Sequence, residues 1–182
     1  MAVVRWSAWE GCEAGMEHCE VRPEGGRILI EGLVIGTNEG APFGLDYRLV
    51  LDRAWLLREA ELRTAAGRSL RLSSDGQGSW TVDGHAEPAL SGCVDIDIEA
   101  TPLTNTLPIR RLDLPAGQSA AIAVAYVRVP SLTVAPGSQR YTALEPGRLY
   151  RFDSLDIAFT ADLPIDRDGL VLDYPGLFRR LV

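Results

Sequence analysis

The stretch DIDIEATPLTNTLPIRRL, residues 95–112, changes its character halfway along its length. Its first part alternates acidic and apolar residues with the period of a β-strand, which places Asp95 and Asp97 on one face and Ile96 and Ile98 on the other. Its second part supplies three threonine hydroxyls, one asparagine amide and two guanidinium groups. The combination predicts a strand whose acidic face lies beside a polar site.

Turn signals recur outside this stretch and separate short runs of β-branched and aromatic residues. Examples of these runs are RILIEGLVIG at 27–36, AAIAVAYVRV at 120–129 and DSLDIAFTADL at 153–163. Many short strands with frequent glycine and proline between them are typical of an all-β domain. We predict a single mostly β domain over residues 1–182, formed by a large antiparallel sheet or an open barrel.

Two segments contain residues that favour a helix. The segment RAWLLREAELRTAAG, 53–67, is rich in helix formers but has no clean period, and we predict a strand there. In the tail DYPGLFRRLV, 173–182, Asp173 would cap a helix, Pro175 would lie in its first turn, and the leucines with Phe178 would form an apolar stripe. We therefore predict one short C-terminal helix packed against the sheet.

The composition excludes several classes of function. The formal charge of −7, from 25 acids and 18 bases, disfavours a nucleic-acid surface or an anionic membrane surface, because both attract basic proteins. All the bases are arginines, so no lysine is present for a Walker A loop, a pyridoxal-phosphate Schiff base or a lysine aldolase. We expect no cofactor and no metal.

The sequence also carries no signal for a membrane or an oxidising compartment. Its longest apolar run, at 120–127, is far shorter than a membrane span, and residues 1–15 lack the basic start and apolar core of a signal peptide. Cys12, Cys19 and Cys93 fit neither a zinc site nor a disulfide framework. We expect a cytoplasmic protein with reduced thiols and no membrane span.

The polar stretch and several other segments together carry a family resemblance. The sequence resembles a bacterial family of unknown function, named putative glycolipid-binding proteins, whose pattern contains a cysteine and paired acids followed by TPxTNTLPIRRL. The resemblance covers nearly the whole chain. Besides residues 95–112, it extends over GLDYRLVLDRAW at 44–55, GSWTVDG at 78–84, VAYVRVPSLTV at 124–134, SQRYTAL at 138–144 and DRDGLVLDYPGLFRR at 166–180.

The resemblance implies a fold and a kind of ligand. The implied fold is a large antiparallel sheet wrapped around one helix, remotely similar to the periplasmic lipoprotein-carrier fold, with an acidic pocket and a tendency to form a homodimer. The implied partner is a small-molecule amphiphile such as a glycolipid. A sheet curled around a helix would form an apolar groove for acyl chains, and carboxylates at its mouth would accept hydrogen bonds from sugar hydroxyls.

Asp95 and Asp97 are the predicted acceptors for the head group. Arg110 and Arg111 are adjacent, so on a strand only one of them would face the same pocket, and one is expected to pair with a carboxylate internally. The pairs Tyr126 with Arg128 and Gln139 with Tyr141 share faces and are candidates for lining a sugar site. The full set of predicted binding residues is Asp95, Asp97, Thr101, Thr104, Asn105, Arg110, Arg111, Tyr126, Arg128, Gln139, Tyr141 and Asp173.

Two other functions stay open from the sequence. A hydrolase acting on sugar or lipid esters would need carboxylates on opposing sides of the scissile bond. Asp95 and Asp97 project in the same direction, so Asp166 or Asp173 would have to supply the opposing acid. The other alternative is a structural dimer without a ligand, whose acids point to water or join internal networks. A dyad of Cys93 with one of the two histidines, His18, is a further catalytic possibility.

Overall fold

The computed structural model describes residues 1–182 and shows two β-sheets and one α-helix. The larger sheet consists, in spatial order, of β14 (Asp173–Tyr174), β15 (Phe178–Arg180), β1 (Ala2–Ala8), β2 (Gly15–Glu24), β3 (Arg27–Asn38), β4 (Ala41–Leu51), β5 (Leu57–Thr64), β6 (Ser69–Ser74), β7 (Trp80–Val82) and β8 (His85–Ala86). The smaller sheet consists of β13 (Phe159–Pro164), β12 (Leu149–Ser154), β11 (Val134–Glu145), β10 (Ser119–Val127) and β9 (Asp95–Ile98). The prediction of a mostly β protein with a large antiparallel sheet is confirmed.

The hairpin of β3 and β4 illustrates how the turn signals act. Glu39 and Gly40 connect the two strands, and both have a positive φ, of 49° and 78°. A two-residue turn with this backbone conformation matches the right-handed twist of the flanking strands, and glycine adopts it without steric cost. The turn fixes the register in which Ile30 and Val34 of β3 face the core.

The segment 53–67 contains strand β5 (Leu57–Thr64) and no helix, so the prediction of a strand there is confirmed. A β-bulge between β4 and β5 explains why its alternation is not clean, because Val50 pairs with Glu59 whereas Leu51 pairs with Leu57. The extra residue, Arg58, shifts the side-chain parity along the strand. Leu57 is therefore buried before the bulge, and Ala60 and Leu62 are buried after it.

The α-helix, α1 (Thr106–Leu112), lies inside the opening stretch and not in the tail, so the predicted position of the helix is wrong. A 3₁₀ turn, Pro102–Asn105, leads into the helix, and Thr101 Oγ1 caps this turn by accepting a hydrogen bond from Leu103 N at 3.0 Å. Pro108 is tolerated because backbone N–H groups in the first turn need no partner within the helix. The helix ends at Leu112, and the residue that follows it, Asp113, has a φ of +43°. Arg110 and Arg111 therefore lie on a helix rather than on a strand.

The tail forms the antiparallel pair β14 and β15 where the sequence predicted a helix. Gly176, with a φ of +80°, allows the reversal between the strands. β15 adds to the edge of β1, where Arg180 pairs with Trp6, and the Phe178 ring packs at 6.2 Å from the ring of Tyr174. These long-range contacts override the local helical pattern, because a short helix gains little stability without tertiary packing.

Helix α1 lies between two groups of buried apolar residues. Leu107 belongs to a larger cluster, formed mostly by the larger sheet with β9 and β10, and Ile109 belongs to a smaller cluster formed mostly by β11, β12 and β13. Arg110, which follows directly, is exposed. The helical segments lack the length and the apolar character that a membrane-crossing helix requires.

Candidate ligand-binding site

A cavity of about 670 Å³ lies between the two sheets. One side comes from β1 to β4 and the other from β9 to β13, and β14 and β15 complete it. Apolar residues that line it include Trp6, Val34, Ile98, Val129, Phe152 and Phe159. This volume and this mostly apolar lining with a few polar groups are typical of sites for small molecules.

Apolar side chains also line the mouth of the cavity. Ile35, Ile157 and Leu177 line the cavity although their exposed fractions are 55%, 66% and 43%. Exposed apolar groups around an opening mark sites where an apolar ligand or surface makes contact. The opening of the cavity therefore offers apolar contacts to an apolar chain, beside exposed polar residues such as Arg128 and Asp156.

Asp97 lies on the β9 side of the cavity and is held by neutral hydrogen-bond donors. Its Oδ1 accepts a hydrogen bond from Thr104 Oγ1 at 3.0 Å, and its Oδ2 accepts one from Gln139 Nε2 at 2.6 Å. Burial raises the pKa of Asp97, and the nearby charge of Glu99 raises it further. Each carboxylate oxygen has a second lone pair, so Asp97 can still accept a hydrogen bond from a ligand.

A buried tyrosine positions one of the two amide side chains of the polar wall, Asn105. Tyr141 Oη donates a hydrogen bond to Asn105 Oδ1 at 2.8 Å, and Asn105 Nδ2 donates to Pro102 O at 3.1 Å. Asn105 and Gln139 line the cavity, whereas Tyr141 lies behind them. The tyrosine thus orients the polar wall without facing the cavity.

Glu17 faces the same cavity from β2 of the larger sheet. Its Oε1 accepts hydrogen bonds from Tyr47 Oη at 2.5 Å and from Thr101 Oγ1 at 2.8 Å. Its Oε2 is buried without a hydrogen-bond partner. Burial raises the pKa of Glu17 to about 7, although the two hydrogen bonds act in the opposite direction. The cavity therefore holds carboxyl groups from both sheets.

The structure brings only part of the predicted site together. The predicted residues that line the cavity are Asp97, Thr101, Asn105, Tyr126, Arg128 and Gln139. Thr104 and Tyr141 lie behind this layer and bond to it. Asp95, Arg110, Arg111 and Asp173 do not line the cavity.

Asp95 is part of an internal ion pair instead. It is fully buried, and Arg111 donates to its two oxygens from Nε at 3.1 Å and from Nη2 at 2.5 Å. This pair matches the expectation that one arginine holds a carboxylate in place. Arg110 extends over the ring of Trp55, with its guanidinium carbon 5.1 Å from the ring centre. Asp173 lies in β14 opposite Arg179.

The predicted binding residues did not include three acids that line the cavity, Glu17, Glu99 and Asp156. Glu99 Oε2 accepts a hydrogen bond from Val129 N at 2.9 Å. A signal for Glu17 was available, because alternation along β2 places it on the same face as Cys19 and Val21. An acid on an apolar face of a strand indicates a buried carboxyl group.

The opposing acids considered for a hydrolase do not reach the cavity. Neither Asp166 nor Asp173 lines it, and Asp166 Oδ2 accepts a hydrogen bond from Arg180 Nη1 at 2.6 Å. The dyad of His18 with Cys93 does not form either. His18 is exposed and contacts Glu20, while Cys93 is buried.

Gly32 allows Tyr47 to reach Glu17, and this contact yields a testable prediction. Gly32 of β3 pairs with Tyr47 of β4, and a Cβ at Gly32 would overlap the Tyr47 ring. We expect Gly32→Ala to displace the ring from Glu17 and to lower the free energy of unfolding by about 1 to 3 kcal/mol. Urea unfolding followed by tryptophan fluorescence measures this change.

Gly44→Ala is the matched control for this substitution. It changes a glycine in the adjacent strand, where the new Cβ would lie 3.3 Å from the Ala65 methyl group. We expect a smaller loss of stability there. Equal losses in the two variants would contradict the role given to Gly32.

Comparison with known proteins identifies the family. The profile of the family described as putative glycolipid-binding matches residues 3–180. The chain belongs to this family. This match confirms the resemblance to the putative glycolipid-binding family that the sequence shows. The remote similarity to the lipoprotein-carrier fold stays a prediction.

A solved structure is similar to this chain over most of its length. It is the crystal structure of a DUF1089 family protein from Pseudomonas aeruginosa, determined at 1.80 Å resolution. The two chains are 44% identical, the TM-score is 0.81, and the match covers 91% of this chain and 92% of that chain. The search of curated proteins finds no match.

Proposed function

We propose that the protein binds an amphiphile of the glycolipid type in the cavity between its sheets. The observation that carries this proposal is a cavity of about 670 Å³ with mostly apolar walls and a cluster of acidic and amide side chains on one side. An acyl chain would occupy the apolar part, and a hydroxylated head group would bond to Asp97, Asn105 and Gln139. The family membership supports the same class of ligand.

The apolar chain would supply most of the affinity. Each buried methylene contributes about 0.8 kcal/mol, or roughly a fourfold change in affinity, whereas one hydrogen bond to a charged group contributes about 1.5 to 3 kcal/mol. A chain of several methylenes therefore outweighs any single polar contact. The polar groups would instead select the head group.

Alkyl glucosides of increasing chain length test this proposal by isothermal titration calorimetry below their critical micelle concentrations. We expect the affinity to rise roughly fourfold per methylene until the cavity is filled. Asp97→Asn removes one acceptor from the polar wall, and we expect it to weaken octyl glucoside at least about tenfold. Binding of 1-octanol, which has the same chain and no sugar, should change little.

Asp162→Asn is the control for this substitution, because Asp162 is a partly exposed residue that pairs with Arg151 and does not line the cavity. It should leave both affinities unchanged. Equal weakening of octyl glucoside and 1-octanol by Asp97→Asn would contradict a head-group role for Asp97. Native mass spectrometry after gentle lysis would then identify the lipid that the protein carries from the cell.

A hydrolase is the second candidate function, and one observation favours it. Glu17 and Asp97 line the cavity from different sheets, and a carboxyl group with a pKa of about 7 can serve as a general acid at neutral pH. Hydrolysis of nitrophenyl glycosides or nitrophenyl esters tests this alternative. A hydrolase would lose turnover in Glu17→Gln, because the amide cannot transfer the proton.

The homodimer stays a prediction that follows from the family resemblance. Light scattering coupled to size-exclusion chromatography measures the mass of the particle in solution. A mass near twice 19.8 kDa is expected, and the mass of a single chain would contradict the dimer.

A further inference from the structure

Glu17 holds a polar atom for which the protein itself supplies no partner. The residue lies on the inner face of β2, paired with Trp6 of β1 and Val34 of β3, and its exposed fraction is 2%. Both donors that reach it, Tyr47 and Thr101, bond to Oε1. Oε2 is buried, has no hydrogen-bond partner, and belongs to a side chain that lines the cavity.

No cation compensates a negative charge on Glu17. Its hydrogen-bond partners are both neutral hydroxyl groups, and it forms no salt bridge. On its own side it faces Tyr47 of β4 and Cys19 of β2, and burial raises the pKa of both, so both are neutral. The other ionisable groups that line the cavity are Asp97, Glu99, Tyr126, Arg128, Asp156 and Tyr174.

A buried carboxyl group without a charged partner favours its neutral form. Because Oε1 already accepts two hydrogen bonds, the proton belongs on Oε2, where it makes this oxygen a donor. The raised pKa of Glu17, about 7, agrees with this assignment. A buried donor without an acceptor is unfavourable, and a ligand that supplies the acceptor removes this penalty.

We infer that protonated Glu17 donates a hydrogen bond from Oε2 to an uncharged acceptor oxygen of the ligand, such as a hydroxyl, ether or carbonyl oxygen. This inference rests on the proposed function and adds a chemical requirement to it. The two sheets then offer complementary groups, with a donor at Glu17 and acceptors around Asp97. A head group with several hydroxyl or ether oxygens meets both requirements, whereas a carboxylate or phosphate head group would be repelled by the acids of the cavity.

Ionisation of Glu17 removes this donor, so the inference has a consequence for binding at different pH. Above pH 7 the fraction of protein with protonated Glu17 falls about tenfold per pH unit, and the apparent affinity falls with it. Between pH 7 and pH 9 we expect the affinity for octyl glucoside to fall between about tenfold and a hundredfold in the wild-type protein.

Glu17→Gln distinguishes this role from a simple structural one. The amide oxygen can accept from Tyr47 and Thr101 while the amide nitrogen donates into the cavity, so glutamine imitates the protonated acid without titrating. We expect the variant to bind octyl glucoside within about threefold of the wild-type affinity at pH 6. It should keep that affinity at pH 9, where the wild-type protein has lost it.

Infrared difference spectroscopy gives a second readout that does not depend on the titration of affinity. The difference between the wild-type protein and Glu17→Gln at pH 6 should contain the carbonyl stretch of a protonated carboxyl group, and octyl glucoside should shift it. Binding of octyl glucoside with equal pH profiles in the two proteins, or without a shift of this band, overturns the inference and leaves the proposed function standing. Absence of binding by every alkyl glucoside at pH 6 removes both.

Discussion

Replacing Arg111 with methionine is expected to lower the free energy of unfolding by about 3 kcal/mol. Asp95 is fully buried, and Arg111 donates to both of its oxygens, so the substitution leaves a buried carboxylate without its counter-charge. Removing one partner of a buried pair typically costs about 3 to 5 kcal/mol. We expect the lower end of this range, because the Arg111 side chain is 18% exposed and water can reach the vacated position.

The neighbouring arginine provides a matched control for this prediction. Arg110→Met changes the same residue type in the same helix, but Arg110 is exposed and contacts only the face of Trp55 among the aromatic rings. We expect that variant to lose about 1 kcal/mol or less. Urea unfolding at neutral pH measures both changes, and equal losses would contradict the structural role of Arg111.

A double variant tests whether Arg111→Met destabilises the protein because it leaves the buried charge of Asp95 without a partner. Asp95→Leu combined with Arg111→Met replaces both partners with apolar groups of similar size. Such replacements are often neutral, so the double variant should recover most of the stability that Arg111→Met loses. No recovery would indicate that Arg111 stabilises the protein mainly by packing.

The stability of the wild-type protein relative to Glu17→Gln is expected to fall by about 3 kcal/mol as the pH rises from 4.5 to above 7. Folding raises the pKa of Glu17 from 4.5 to about 7. Between these values the unfolded chain releases the proton while the folded chain keeps it, so the unfolded state binds fewer protons and stability decreases with pH. Below pH 4.5 both states are protonated and the effect is absent.

Comparison with Glu17→Gln isolates this contribution, because all other groups titrate in both proteins. We expect the difference in free energy of unfolding between the variant and the wild type to be constant below pH 4.5, to grow up to about pH 7 and then to level off. Urea unfolding at intervals of half a pH unit, without any ligand, provides the measurement. A difference that is independent of pH would show that Glu17 titrates normally in the folded protein.

The strands of this fold could be predicted from local sequence because each local preference agrees with the final structure. The residues Glu39 and Gly40 favour the turn that joins β3 and β4, and alternation along β6 matches its exposed and buried positions. The bulge opposite Val50 obscured the period of β5 but did not change its type. Local agreement of this kind makes element type predictable even where the boundaries are not.

The helix could not be placed in the same way because its formation depends on distant contacts. α1 has seven residues and one proline, which is too short for a helix to persist alone. Leu107 and Ile109 stabilise it by packing against strands that are far away in sequence. The tail shows the converse, because pairing of Arg180 with Trp6 draws it into the sheet.

The candidate site was only half predictable for a related reason. The residues at positions 97 to 105 lie close together in sequence, and their polar character alone indicates a common site. Glu17 is 80 or more residues away from them, and only the approach of the two sheets brings it to Thr101. Asp95 was predicted to bind the ligand but does not line the cavity. Alternation showed which face of the strand carries Asp95, but it could not show that Arg111 pairs with Asp95 there.

The position of α1 between the two apolar clusters bears on how the protein loses its structure. Leu107 and Ile109 are two residues apart, yet each is anchored in a different cluster. Separating the two clusters would remove one of these side chains from its neighbours and expose it to water. We therefore expect the seven-residue helix to couple the unfolding of the two clusters, so that both are lost in one cooperative transition.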